Sequence, residues 1–222
     1  MISVIIPCYN EEKHIKEVLE KIPENIDEVV VVDDGSKDRT AEIVKGFSKV
    51  RLFRHEKNKG KGVAILTGID SSRGDILVFM DGDMQHNPME ITFLVKPVLD
   101  GKADFVNGSR VLTGWDKFPI TRKIGNLIAR GVIRFFTKTK ITDPLSGFKV
   151  IKRDALEKID LKGRHYEIEA DIIYKVLKNN LRVVELPIST QYATEKSGIM
   201  LVDNLRNFAF LIKEGIKFRF TT

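Results

Sequence analysis

Within the first 110 residues, short aliphatic runs alternate with segments of helical periodicity, and the runs stop at polar clusters. The clearest is Glu28–Asp33, four consecutive valines between carboxylates. Four β-branched residues in a row leave no polar face, so such a strand is covered on both sides. That places it inside a mainly parallel sheet with helices above and below. The neighbouring segments agree. Ile2–Ile6, Val50–Arg54, Asp75–Met80 and Asp104–Gly108 read as strands, the first ended by Pro7. Glu11–Ile22 spaces Ile15, Val18, Leu19 and Ile22 along one helical face. Asp38–Phe47, with Asp38 placed to cap it, Lys61–Ile69 and Pro88–Leu99 complete the helices. The predicted class is α/β: an open, mainly parallel sheet with helices on both faces. In such sheets ligands sit at the carboxyl ends of the strands.

The 222 residues are 42% hydrophobic and 31% charged, which suits one globular domain with an ample core. The single cysteine, Cys8, permits no internal disulfide and fits a reducing interior. A net charge of +6 hides a division. Residues 1–110 carry 16 basic and 19 acidic side chains, whereas 111–222 carry 21 and 12. Two kinds of partner are implied.

The second half loses the strand–helix rhythm. Thr113–Pro119 reads as a loop, Leu145–Ile151 and Arg182–Leu186 as strands, and Glu167–Lys178 as a helix. Two amphipathic helices stand out, near 121–138 and 203–220. The first carries Ile124, Leu127, Ile128, Val132, Phe135 and Phe136 on one stripe, and from Lys117 to Lys140 seven residues are basic and none acidic. Such a helix suits the headgroup plane of an anionic bilayer. Alternatively it is an ordinary packed helix with a solvated face. No nucleic-acid module signature is present, so a nucleic-acid partner is not expected. The amino terminus lacks a charged leader, and no apolar run approaches the roughly 20 residues of a membrane span. Membrane contact would be peripheral or through a membrane protein partner.

The strand ends carry the chemistry. They are PCYNE at 7–11, DDGS at 33–36 and DGDMQH at 81–86. Carboxylates crowded on one edge repel unless a cation or ligand donor joins them. Asp81 and Asp83 after a buried strand could hold a divalent ion that bridges to phosphate, or form a plain turn. Lys57, Lys59 and Lys61, around Gly60 and Gly62, read equally as a diphosphate-neutralising helix start and as a solvated turn. Cys8 reads as a packing residue, His86 as a packing residue or, next to Gln85, a member of the metal site, and His14 and His55 as surface or edge residues. Trp115 fits either an interfacial anchor or simple packing.

The order PCYNE, VVVVDDGSKDRT, NKGKG, MDGDMQHNP resembles the inverting family-2 glycosyltransferases. GSR at 108–110, TRK at 121–123, DPLSGF at 143–148 and the stretch from Tyr166 to Ile188 resemble the polyprenyl-phosphate (dolichol-phosphate) members. The resemblance implies a Rossmann-like nucleotide-diphospho-sugar transferase fold across one catalytic domain, 1–222. Residues 1–110 would bind the sugar nucleotide and 111–222 the acceptor. It implies nucleotide contacts at Pro7, Tyr9, Glu11, Val32, Asp34, Asp81 and Gly82. A Mg²⁺ or Mn²⁺ site would use Asp81, Asp83 and Gln85, with Arg110 and Arg122 on the acceptor phosphate. Asp83, Arg110 and Arg122 would be the catalytic residues, acting on a polyprenyl or dolichyl phosphate at the cytoplasmic face of the cell membrane. NKGKG resembles UDP-sugar relatives more than GDP-mannose ones. The Tyr192–Gly198 run departs from the Gly- and Arg-rich stretch of many relatives, and no QxxRW motif is present.

A phosphate acceptor is already anionic at neutral pH, with a second pKa of about 6, and needs no strong base. A hydroxyl acceptor on a soluble glycan or protein would need one, and Glu167 or Glu169 is the candidate. A third reading is a non-catalytic, membrane-associated sugar-nucleotide binder.

Overall fold

A computed structural model of the chain describes residues 1–114, 119–190 and 201–220, with the side chains of 201–205 outside the description. Trp115 and the Tyr192–Gly198 run lie outside the described residues. The first half runs β1 (Ile2–Cys8), α1 (Ile15–Glu20), β2 (Glu28–Asp33), α2 (Thr40–Lys45), β3 (Val50–Arg54), α3 (Lys61–Ser71), β4 (Ile76–Phe79), α4 (Ile91–Leu99) and β5 (Phe105–Ser109). The second runs α5 (Val111–Gly114), α6 (Ile120–Thr137), β6 (Lys149–Lys152), α7 (Arg153–Leu156), α8 (Ile168–Lys178), β7 (Val183–Pro187) and α9 (Leu201–Phe220).

One seven-stranded sheet, in the order β3-β2-β1-β4-β6-β5-β7, carries everything else. Its pairs are parallel except at β6, which runs antiparallel to both β4 and β5. The valine run of β2 is buried along its whole length, as its composition requires, and lies between β1 and β3. Side-chain alternation sends Val29 and Val31 into a layer with Ile15, Val18, Ile91 and Leu94. Val30 and Val32 enter the opposite layer with Ala64, Ile65, Ile133 and Ile172. Each such side chain contributes about 1.5–3 kcal/mol on burial.

Several expectations shift. The helix expected over Glu11–Ile22 begins at Ile15, because Glu11–His14 form a turn in which Ile15 N donates to Glu11 O at 2.9 Å. The helix expected over Asp38–Phe47 is limited to Thr40–Lys45. Asp38 is not its cap residue: that position is Arg39, without a side-chain cap, and Asp38 Oδ1, one residue earlier, accepts from Thr40 N at 3.0 Å and Thr40 Oγ1 at 2.5 Å. The strand placed at Leu145–Ile151 is β6, which begins four residues later, at Lys149, and ends at Lys152, after a turn in which Ser146 N donates to Asp143 O. The segment read as a loop from Thr113 overlaps the short helix α5. Among the described residues no helix is long and apolar enough to cross a membrane.

Candidate active site

Parallel strands β1, β2 and β4 end on one edge, so their following turns meet there. After β1, Asn10 takes a left-handed backbone (φ 57°) and its Oδ1 accepts from Lys37 N at 2.8 Å. Asn10 N and Glu11 N donate in turn to Ser36 Oγ and Thr40 Oγ1. The first two strand ends are therefore tied together by side-chain hydrogen bonds. After β4, Met84 is also left-handed (φ 60°), and Asp83 Oδ1 accepts from Gln85 N at 3.0 Å. This turn holds Asp83 and Gln85 in fixed relation.

Tyr9 is exposed at this edge, whereas Pro7, Val32 and Gly82 are buried and form its floor. Asp34 sits 3% exposed, and its carboxylate already accepts from Lys59 N, Gly60 N and, at 2.6 Å, His55 Nδ1. His55 is thus no edge residue: it is buried, and its other ring nitrogen meets Thr67 Oγ1 at 3.0 Å. The neighbouring Asp33 is fully buried. Its Oδ1 accepts from Ser36 N, and its Oδ2 lies 3.0 Å from Arg54 Nε without hydrogen-bond geometry.

The acidic residues form one electrostatic group. Burial raises Glu11 to about 7, with the charges of Asp83 and Asp81 adding to it and the His14 hydrogen bond opposing. Burial and then Asp81 push Asp83 above its ordinary value. Asp81 goes the other way. Burial alone would raise it, but the ammonium of Lys61, 2.6 Å from its Oδ1, holds it down. Lys61 also pairs with Glu169 at 2.5 Å, which settles its reading as a buried partner, not a solvated turn. Gly147 lies against Asp81, where a Cβ would come within 2.5 Å of Oδ2.

The basic residues approach from the end of β5 and from α6. Arg110, at the end of β5, forms a two-pronged pair with the fully buried Asp143 (Nε–Oδ2 2.7 Å, Nη2–Oδ1 2.9 Å), and Asn126 of α6 donates to the same carboxylate at 2.7 Å. Arg122 of α6 donates to Gln85 Oε1 at 2.5 Å. Asp143 thereby fixes Arg110 and α6 together, and Gln85 brings Arg122 to the Asp83 turn. Beneath them Lys149 donates to Asn107 Oδ1 at 2.6 Å, with burial lowering it to about 8. His86 is buried against Phe148, and burial pushes its imidazole down to about 4. Cys8 is buried behind the edge.

The three strand-end clusters and the two arginines are therefore brought to one edge of the sheet. Residues 3–160 match the family model described as Glycosyl transferase family 2. The chain belongs to that family. A UDP-N-acetylglucosamine–dolichyl-phosphate N-acetylglucosaminyltransferase of Methanococcus voltae is 33% identical over 216 residues, 86% of each chain. A polyprenol monophosphomannose synthase of Mycolicibacterium smegmatis is 32% identical, over 97% of this chain and 87% of that one. Among solved structures, the glucosyl-3-phosphoglycerate synthase of Mycobacterium tuberculosis, in complex with Mn²⁺, UDP and glucosyl-3-phosphoglycerate, superposes with a TM-score of 0.81. It covers 96% of this chain and 79% of that one at 23% identity, and confirms the Rossmann-like transferase fold.

In this glycosyltransferase the residues fit a divalent cation in a particular way. Among the described residues no three His, Cys, Asp or Glu side chains form a metal-holding group. Asp83 nonetheless lies half-buried within the field of Asp81, and burial and then that charge raise it above its ordinary value. That donor set suits a cation that takes its other ligands from phosphate and water. Of the two base candidates, Glu169 is engaged by Lys61. Glu167, at the start of α8, is 8% exposed, with Oε2 buried and unpartnered. Sequence reasoning assigned no role to Asp33, Asp143 or the Lys61–Glu169 pair. Asp143 lay in the quoted DPLSGF motif, but nothing in its spacing pointed to Arg110.

Proposed function

We propose that this enzyme transfers one sugar from a nucleotide-diphospho-sugar to a polyprenyl or dolichyl phosphate, with inversion. The observation that carries this is the two-sidedness of α6. Its inner side presents Arg122 to the Asp83 turn. Its outer side is an exposed apolar stripe: Ile120 (70% exposed), Ile124, Leu127, Ile128 and Phe135 (60%). An acceptor with an anionic head and a hydrocarbon tail matches both sides at once.

The chain's own residues supply the rest. Arg110 and Arg122 offer planar, multidentate donors to the acceptor phosphate. Asp143 and Gln85 hold those guanidiniums in place. The acceptor oxygen is already anionic and needs no base. Asp83, with Asp81 and Gln85 beside it, would hold Mg²⁺ or Mn²⁺. That ion supplies positive charge to the departing nucleoside diphosphate. Pro7, Tyr9, Glu11, Val32, Asp34 and Gly82 shape the nucleotide edge. The M. voltae relative's name supports a UDP-sugar donor, and the M. smegmatis relative's name supports mannose.

The stripe on α6 is flanked by Lys123, Arg130 and Arg134, which suits an anionic bilayer on the face where the lipid enters. The test is incubation with labelled sugar nucleotides, Mg²⁺ or Mn²⁺, and a polyprenyl phosphate. Organic-extractable label is expected. Its absence with every common donor, while a soluble glycan accepts the sugar, would reassign the acceptor.

A further inference from the structure

Across β6, β5 and β7, Lys149, Asn107 and Glu185 stand in register, side by side on one face of the sheet. Their neighbours along that face, Phe105 and Ile151, belong to the packed apolar layer. Lys149 is 1% exposed and Asn107 0%. A polar row inside an apolar layer is costly unless its members satisfy one another. The transfer reading gives none of the three a task.

The row is a directed chain of hydrogen bonds. An ammonium can only donate, and Lys149 Nζ lies 2.6 Å from Asn107 Oδ1. With its oxygen so occupied, the Asn107 amide points its nitrogen the other way. Nδ2 donates to the Asp143 carbonyl oxygen and to Glu185 Oε1, both at 2.9 Å. Glu185 Oε2 accepts from Thr142 N at 2.7 Å, and Ser109 Oγ meets Thr142 Oγ1 at 2.7 Å. The backbone of the 142–143 turn is thereby tied to β5 and β7. The Asp143 carboxylate, carried by that turn, grips Arg110 through Nε and Nη2 and accepts from Asn126 of α6.

The chain therefore starts at a buried ammonium and ends at a guanidinium on the site's edge. We infer that Lys149 is a positioning residue for the acceptor phosphate: by fixing the Asn107 amide it sets the turn from which Asp143 holds Arg110. The inference rests on the reading of Arg110 as a ligand of that phosphate. Charge matters here as well as place. Burial brings Lys149 down to about 8, with Glu169 of α8, Asp143 and Glu185 of β7 opposing the fall and Arg110 adding to it. Above that pH the first link of the chain loses its charge assistance and weakens.

The test reads Arg110 directly and then through transfer. In the whole enzyme labelled with ¹⁵N-arginine, the Arg110 Nε–H signal is assigned by its loss in Arg110→Lys. In the wild type its chemical shift should move with a midpoint near pH 8, and in Lys149→Met it should not. Exchange of that proton with water at neutral pH should be about tenfold faster in Lys149→Met, because its hydrogen bond is less firmly held. In transfer assays Lys149→Met should raise the KM for polyprenyl phosphate about tenfold, with donor KM and kcat within about twofold of wild type. The acceptor KM of the wild type should rise between about pH 7 and 9, and that of the variant should stay flat. A lysine that only supports the fold would lower stability and move neither the Arg110 midpoint nor the split between the two KM values. The inference falls if the Arg110 signal is the same in wild type and Lys149→Met, or if the signal changes and the acceptor KM does not. Should Lys149→Met not fold, Lys149→Gln, which carries no titrating charge, is read by the same criteria. If the wild type transfers no sugar to polyprenyl phosphate, the transfer reading falls, and the Arg110 signal alone decides for Lys149.

Discussion

The edge formed by β1, β2 and β4 and the outer side of α6 are built on opposite principles. At the strand edge, carboxylates are buried or half-buried and held by hydrogen bonds, and burial, with neighbouring carboxylates adding to it, raises Glu11 and Asp83. On α6, large aliphatic side chains are left outside while Asn126, Ala129 and Ile133 face inward. One region stores negative charge out of water and the other leaves apolar surface in it. Both are costly unless something covers them. A cation with a polyanion suits the first, and lipid suits the second. The helix between them, carrying Arg122, is where those two partners would meet.

The comparison breaks most sharply at Asp83. Asp83→Ala removes the carboxylate assigned to the metal and should lower the rate at saturating donor by about 10³-fold, near 4 kcal/mol. The fold should survive, because the side chain sits in a turn and not in a strand. Transfer of labelled sugar to polyprenyl phosphate measures it. Activity within a few-fold of wild type would remove the metal from this carboxylate.

Asp143 tests whether the two regions are mechanically joined. It holds Arg110 through two prongs and α6 through Asn126, all in the interior. Asp143→Ala removes the fully buried carboxylate that grips Arg110 and Asn126, at a cost of about 3 kcal/mol or more. Urea unfolding should show that loss together with a weakened acceptor KM. If the acceptor KM changes with no loss of stability, Asp143 touches substrate and is not a brace.

How far the sequence foretold this depends on the kind of interaction. The buried strands were legible in their valines, and the strand-end motifs placed Asp81, Asp83 and Glu11 at one edge. Direction was harder. Nothing in Lys149–Lys152 marks it as antiparallel, since that depends on the path of the preceding chain. The α6 stripe was legible as amphipathic, but Val132 and Phe136 belong with the packed side while Ile124, Leu127 and Phe135 point outward. A period of 3.6 locates a stripe without saying which edge of it meets the core. The pairs Lys61–Glu169 and Arg110–Asp143 span more than 30 residues, and local pattern carries no such information.

Glu11 sharpens the electrostatic side. Its folded pKa of about 7 stands above the ordinary 4.5. Between those values the folded state keeps a proton that the unfolded state has lost. Stability therefore falls as pH rises through that window, in contrast to a salt-bridged carboxylate. The loss should be on the order of 2 kcal/mol. Urea midpoints without metal should decline from pH 4.5 to 7.5, and Glu11→Gln should flatten the decline. An unchanged slope in that variant would assign the titration to other groups.

The outer side of α6 gives the smallest effect and the cleanest contrast. Leu127 is 53% exposed, so replacing it should barely alter folding, by about 0.5 kcal/mol or less. If a bilayer covers it, that same side chain leaves water only on docking. Leu127→Gln should then cost about 1.5 kcal/mol of partition, near tenfold, on vesicles containing phosphatidylglycerol. Added salt should weaken binding further by screening the Lys123, Arg130 and Arg134 flank. The equivalent polar change at Val31, buried in β2, should unfold the protein instead. If Leu127→Gln leaves vesicle binding intact but splits a dimer seen by mass photometry, a second copy of the chain covers this face. The polyprenyl tail must then reach Arg122 from another direction.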